Sequence, residues 1–134
     1  MAEYISFQPS DYFSTKLFTG TGSSNAVTGA GFQPDFTWIK NRDAADFHVL
    51  TDAVRGATKY LQSQTTTGST TNIESLKSFD SDGFTVGTMN EVNTNTEDFV
   101  SWNWKAGTTT GIAGSPSITP ASYSFNATSG FSII

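Results

Sequence analysis

Along most of this chain apolar and polar residues alternate in short runs, and Gly, Asn, Asp and Pro interrupt the runs at frequent intervals. A period of two sends successive side chains to opposite faces of a strand. The pattern therefore predicts an all-β fold, an antiparallel β-sandwich or jelly roll with few or no helices. The expected strands are Lys16 to Thr19, Asn25 to Val27, Phe36 to Lys40, Phe47 to Thr51, Tyr60 to Ser63, Leu76 to Phe79, Gly83 to Val86, Phe99 to Trp104, and Ser122 to Phe125 with Phe131 to Ile134. Single helical turns are expected only at Asp43 to Asp46 and Ser69 to Leu76.

Strand phase raises a sharper question in DFVSWNWKAG, residues 98 to 107, where Val100, Trp102 and Trp104 lie opposite Phe99, Ser101 and Asn103. Ser101 and Asn103 are polar, so the tryptophan face is the expected core face. That leaves Phe99, Ser101 and Asn103 to meet solvent, a neighbour or a sugar. The alternative turns the tryptophans outward as an aromatic platform for sugar rings. In PDFTWIKNR, Phe36, Trp38 and Lys40 share one face, and the strand begins after Pro34, which has no N–H for a ladder.

Composition shifts divide the chain into an N-terminal arm, 1–15, a sandwich domain, 16–107, and a linker, 108–121, rich in Thr, Gly and Pro. A C-terminal apolar strand segment, 122–134, follows. An exposed apolar strand is an aggregation hazard, so this segment should pair within the domain, pair with a neighbouring subunit, or belong to a longer polypeptide. FTGTGSSNAVTGAGF, residues 18–32, carries four glycines. They read as turns, because neither the lysine nor the helix of a phosphate loop follows.

Charged residues are only 14% of the chain, and the net charge is -5. Surface polarity must come from Thr, Ser and Asn, a choice that suits exposed strands. With no basic stripe, nucleic acid is not an expected partner. No stretch approaches the ~18 apolar residues of a membrane span, and no secretory leader is visible, so neither membrane insertion nor export is expected. The chain has no cysteine. That removes disulfides, thiolate nucleophiles and Cys zinc sites, and fits synthesis in a reducing cytoplasm.

Candidate chemistry is sparse. His48, the lone histidine, has Asp46 and Asp52 nearby, but its spacing is that of an ordinary strand residue. FDSDGFTVG, residues 79–87, offers Asp80 and Asp82 as candidate calcium ligands, and a turn between strands explains the same letters. The later ligands of an EF-hand loop do not follow. Carboxylates are plentiful but form no recognisable pair for glycoside hydrolysis, and no nucleophile elbow or His-rich metal motif occurs. No catalytic residue and no cofactor is expected. Asn126-Ala127-Thr128 is a formal glycosylation sequon, taken as coincidence.

Four segments in order, GFQPDFTWIKNRD, LTDAVRGATKYL, FDSDGFTVG and WNWKAG, are similar to a domain of structural proteins of tailed bacteriophages, chiefly marine ones. The likeness spans roughly residues 12 to 107. It implies a concanavalin-like or laminin-G-like jelly roll that often occurs in tandem, and SYSFNATSGFSII resembles the lead-in to a second copy. The resemblance brings no catalytic residues. It implies a virion component, a tail-fibre, spike or head-decoration protein whose partners are other virion proteins and copies of itself, with a host-surface glycan as a further candidate. The expected contact or ligand residues are Tyr4, Phe7, Tyr12, Phe13, Phe99, Ser101, Asn103, Phe131 and Ile133. A carbohydrate-binding module is the alternative; it requires one of Trp38, Trp102, Trp104, Tyr60 or Phe47 to be exposed in a groove beside Asp or Asn.

Overall fold

A computed structural model describes residues 7–111 and 117–134. A 3-10 turn at Pro9–Asp11 leads into β1 (Phe13–Thr19), β2 (Asn25–Thr28), β3 (Phe36–Asn41), β4 (Val49–Asp52), β5 (Lys59–Leu61) and β6 (Thr70–Thr71). Then come β7 (Leu76–Asp80), β8 (Gly83–Val86), the single-turn helix α1 (Asn90–Asn93), β9 (Asp98–Trp104), β10 (Ser124–Asn126) and β11 (Phe131–Ile133). The fold is an all-β sandwich, as alternation implied. A six-stranded sheet, β1-β9-β3-β4-β5-β6, packs on a three-stranded sheet, β2-β8-β7, and β10 and β11 form a separate hairpin. Every pairing is antiparallel. No helix of the described residues is long and apolar enough to cross a membrane.

The core lies between the two larger sheets. Ile39, Val49, Tyr60 and Phe99 of the six-stranded sheet meet Val27, Leu76, Phe84 and Val86 of the three-stranded one. Phe18 stacks on Phe99 at 5.3 Å and meets Phe84 edge-on at 6.0 Å, an arrangement that suits the ring quadrupoles. α1 and its N-cap close one end by sending Val92 and Met89 into the same cluster. α1 is the one α-helix among the described residues, and neither expected helical turn forms.

The phase of β9 is the reverse of the expectation. Phe99, Ser101 and Asn103 point inward and are fully buried, while Val100, Trp102 and Trp104 occupy the outer face. The buried polar residues are tolerated because they satisfy one another. Thr37 Oγ1 donates to Asn103 Oδ1 at 3.1 Å, and Asn103 Nδ2 donates to Ser101 Oγ and Ser14 O, both at 3.1 Å. A buried polar group with partners costs little, whereas one without them costs about 1–3 kcal/mol. Polarity alone was therefore a poor guide to which face is wet.

β1 starts at Phe13, so the end of the expected N-terminal arm is strand. The C-terminal apolar segment pairs within the chain. Its hairpin turns at Asn126, whose Oδ1 accepts the N–H groups of Thr128 and Ser129 at 3.0 Å each, and at Gly130, whose φ is 73°. The sequon asparagine is thus a turn-former. A bridge between Thr108 and Phe125 joins the hairpin to the strand exit, and Gly107 N–H donates to Ser124 Oγ at 2.8 Å.

Candidate functional site

The outer face of the six-stranded sheet is built from the positions whose parity matches Trp102. Register places Trp102 beside Trp38 of β3 and Thr15 of β1, and Trp104 beside Phe36 of β3 and Phe13 of β1. Leu17 and Val100 extend the same face, as do Leu50 and Leu61. The ring centroids of Trp104 lie 5.0 Å from Phe13, 5.3 Å from Phe36 and 5.9 Å from Phe131, the last stacked at 19°. Trp38 and Trp102 meet edge to face at 5.8 Å. The result is a continuous aromatic band across three strands, with the hairpin covering one end of it through Phe131.

Polar groups frame the band. Trp38 Nε1–H donates to His48 Nδ1 at 2.9 Å. That bond leaves the His48 proton on Nε2. Partial burial, and then the nearby Lys40 ammonium, lower the His48 pKa below its ordinary value, so the neutral ring is favoured. Lys40 itself donates to Asn41 O at 2.6 Å and Ala44 O at 2.9 Å.

Several clefts flank the sandwich. Phe7, Tyr12, Phe13, Trp104 and Phe131 line one of about 280 Å³. Of the sequence-derived contact residues, it therefore gathers Phe7, Tyr12, Phe13 and Phe131 in one place. A second, of about 390 Å³, lies between the strand exit and the hairpin and is lined by Asp35, Val54, Gly107, Tyr123 and Ser124. Burial raises the Asp35 pKa, against the opposing pull of the Ala106 N–H and the Lys105 charge. Another, of about 180 Å³, is formed by Ala45, Asp46, Phe47 and Glu91.

The other candidates fall elsewhere. Tyr4 lies outside the described residues. Phe99, Ser101 and Asn103 are 0% exposed and inside the sandwich, so they present nothing to a ligand. Ile133, in the hairpin, is buried as well. Asp80 and Asp82 hold a turn together: Asp80 accepts from Ser78 Oγ at 2.8 Å and Thr85 Oγ1 at 2.7 Å, while Asp82 accepts Gly31 N–H at 2.7 Å and Gly29 N–H at 3.0 Å. Those two N–H groups hold the Asp82 pKa below the usual carboxylate range. Among the described residues no three metal-ligating side chains converge.

Sequence reasoning passed over Phe36 and Leu17 as outer-face residues. For Phe36 the parity with Trp38 was the available signal, once the sign of the face was known; Leu17 joins that face only through the register of β1 on β9. It also missed Asn93. This fully buried amide accepts Thr21 N–H at 2.9 Å and Asn25 Nδ2 at 3.2 Å, and donates to Gly87 O at 2.7 Å and to Ser23 O.

The molecule is thus an antiparallel β-sandwich with an aromatic outer sheet face. The chain belongs to the family described as domain of unknown function DUF7483, which matches residues 8–134 and so takes in both the sandwich and the hairpin. No curated protein and no solved structure matches it.

Proposed function

We propose that this chain is a non-enzymatic structural module of a tailed-bacteriophage particle, a tail-fibre, spike or head-decoration component acting through repeated protein–protein contacts. The observation that carries the reading is the aromatic outer face. Contiguous apolar surface on a sheet marks an interaction site, and here it joins Phe13 and Leu17, 38% and 65% exposed, to the tryptophans of β3 and β9. The resemblance of the four ordered segments to phage virion domains supplies the setting.

The roles of those segments support a non-catalytic reading. In LTDAVRGATKYL, Asp52 is 1% exposed and its Oδ1 accepts Val54 and Arg55 N–H at 3.0 and 2.8 Å, shaping the turn before β5. In FDSDGFTVG, Asp82 pins the loop after β2. A Cβ at Gly83, whose φ is 151°, would overlap Val27 O. These motif residues do folding work, and a symmetric particle that repeats one interface many times can rely on modest contacts.

The test is recovery of the chain from purified particles. Mass spectrometry of gradient-purified virions whose genome encodes the chain is expected to find it at constant stoichiometry to the other structural proteins. Recovery only from the soluble lysate would sink the proposal.

A second reading, a carbohydrate-binding module, is favoured by one feature: Trp38 and Trp102 face outward beside His48. Phe47, 48% exposed beside Asp46, is a further aromatic position in a cleft, whereas Tyr60 is buried. Titration of tryptophan fluorescence with host-surface glycans separates the two. Saturable quenching that Trp102→Ala abolishes supports sugar binding, and flat titrations across the panel remove it.

A further inference from the structure

β1 is an edge of the six-stranded sheet, and its outer side is open among the described residues. Lys105 N–H donates to Tyr12 O at 2.9 Å and Gly20 N–H to Glu97 O at 2.8 Å. These two bonds fix the parity of the antiparallel β1–β9 ladder: Tyr12, Ser14, Lys16, Phe18 and Gly20 turn their backbone groups toward β9. Phe13, Thr15, Leu17 and Thr19 turn theirs away. Asn25 Nδ2 donates to Thr19 O at 3.2 Å. No described residue bonds the outward N–H or C=O groups of Phe13, Thr15 or Leu17.

Natural edges of this kind are blunted by bulges, by proline, or by a lysine set against an incoming strand. β1 pairs with β9 in unbroken register over its whole length and contains no proline. Its one lysine, Lys16, has its ammonium held within the chain on Gly29 O at 2.9 Å. Apolar side chains also stand along the open edge, since the outward-bonding Phe13 and Leu17 are exposed, in alternation with the exposed Thr15 and Thr19.

We propose that two copies of this chain pair through their β1 edges, antiparallel about a two-fold axis at Thr15, joining the two six-stranded sheets into one. In this register Thr15 faces Thr15 of the second copy, and Phe13 faces its Leu17. Each facing pair exchanges two N–H···O=C bonds and so occupies all the open groups of Phe13, Thr15 and Leu17. The outward side chains read apolar, Thr, apolar in both directions, which is what self-complementarity about a two-fold requires. The free backbone groups select the same register. An axis at Lys16 pairs Phe13 with Thr19, and an axis at Leu17 pairs Thr15 with Thr19, so both draw on the Thr19 carbonyl that Asn25 already occupies. The axis at Thr15 needs only the open groups and sets Lys16 against Ser14. Pairing at Thr15 makes the two outer aromatic faces continuous and covers Leu17. It is a property of the chain in solution, so it stands or falls independently of the phage reading.

The chain has no cysteine, which makes a single introduced thiol a position-specific probe. At the two-fold, facing Cα atoms of a hydrogen-bonded pair lie about 5.5 Å apart, within disulfide range. Under mild oxidation Thr15→Cys is expected to form a covalent dimer, whereas Thr19→Cys, displaced from the axis, stays monomeric. By sedimentation equilibrium the wild-type chain is expected to dimerise with increasing concentration. Thr15→Pro, which removes an outward N–H and none of the β9 bonds, is expected to lose that dimer. Leu17→Lys, which leaves the backbone intact, should lose it too, and guards against a folding defect in the proline variant. A wild-type chain that stays monomeric throughout overturns the proposal. So does a dimer that survives Leu17→Lys and cross-links equally well in the Thr15→Cys and Thr19→Cys variants.

Discussion

Phe99 and Trp102 sit three residues apart on one strand, and their fates differ because the pleat sends them to opposite faces. Phe99 is fully buried between Phe18 and the core of the three-stranded sheet, so Phe99→Ala is expected to cost about 3–5 kcal/mol. Trp102→Ala removes a half-buried ring and one edge-to-face partner, an expected loss of about 1–2 kcal/mol. Urea unfolding of both variants checks the order, and a larger loss for Trp102 would reverse the face assignment. The alternation of β9 was legible in DFVSWNWKAG, but its sign was not. Ser101 and Asn103 look like surface residues until the partners that make their burial tolerable, Thr37 and the Ser14 carbonyl, are known to lie within reach. Those partners come from distant segments, so a local reading has no access to them. Asn93 makes the same point more strongly. Its four bonds tie the β1–β2 turn to the end of β8, and Asn93→Ala is expected to cost about 1–3 kcal/mol by leaving the buried Gly87 carbonyl unpaired and releasing the turn at Thr21 and Ser23. A loss below that of Trp102→Ala would show that water replaces the amide.

At the level of elements, strands with clear alternation and flanking turn residues were visible, and the shortest ones were not. β8 falls where FDSDGFTVG places it. β6, a pair of threonines, is too short to carry a period, and α1 is one turn long, so Met89 and Val92 give no helical stripe to read. Both elements exist through tertiary context: β6 by pairing with β5, α1 by the burial of Val92 and of Met89 just before it. The β10–β11 hairpin is a different case. It holds to the sandwich through the Thr108–Phe125 bridge, the Ser124 hydroxyl and the stack of Phe131 on Trp104. None of its residues belongs to the main core cluster. An element held by so few contacts opens locally at lower free energy than the core. Phe131→Ala is accordingly expected to speed amide exchange at Phe125 and Ile133 while leaving the exchange of Ile39 and Val49 unchanged. Equal acceleration at all four would mean that the hairpin and sandwich unfold as one unit.

For the whole molecule, the two-layer architecture followed from alternation, but the strand order did not. β9 runs between β1 and β3, so the tryptophans of the last sandwich strand meet the aromatics of two earlier ones only after long-range pairing. The aromatic band is a product of topology, and no single segment carries it. Topology also sets the pH response. The N–H groups of Gly29 and Gly31 hold Asp82 below its ordinary pKa, and the Lys77 ammonium and Thr88 N–H do the same for Glu74. Each carboxylate therefore contributes stability that is full above its unfolded value and is lost as the pH falls through its folded value. His48 is also lowered, and because the unfolded chain then binds the extra proton, stability begins to fall below about pH 6.5. Asp35 works in the other direction. Its raised pKa means that protonation relieves a burial cost, so it adds stability as the pH falls toward its ordinary value. The expected sum is one decline that begins in weak acid with His48, opposed by Asp35, and a second at lower pH, where Asp82 and Glu74 titrate. Asp82→Asn keeps an acceptor for one N–H and has no charge to lose, so its unfolding midpoint should fall less between neutral pH and strong acid than that of the wild type. His48→Gln should remove the first decline and leave the second. Urea midpoints measured across the acid range decide both, and curves parallel to the wild type for either variant would place that step of the acid sensitivity in other titrating groups.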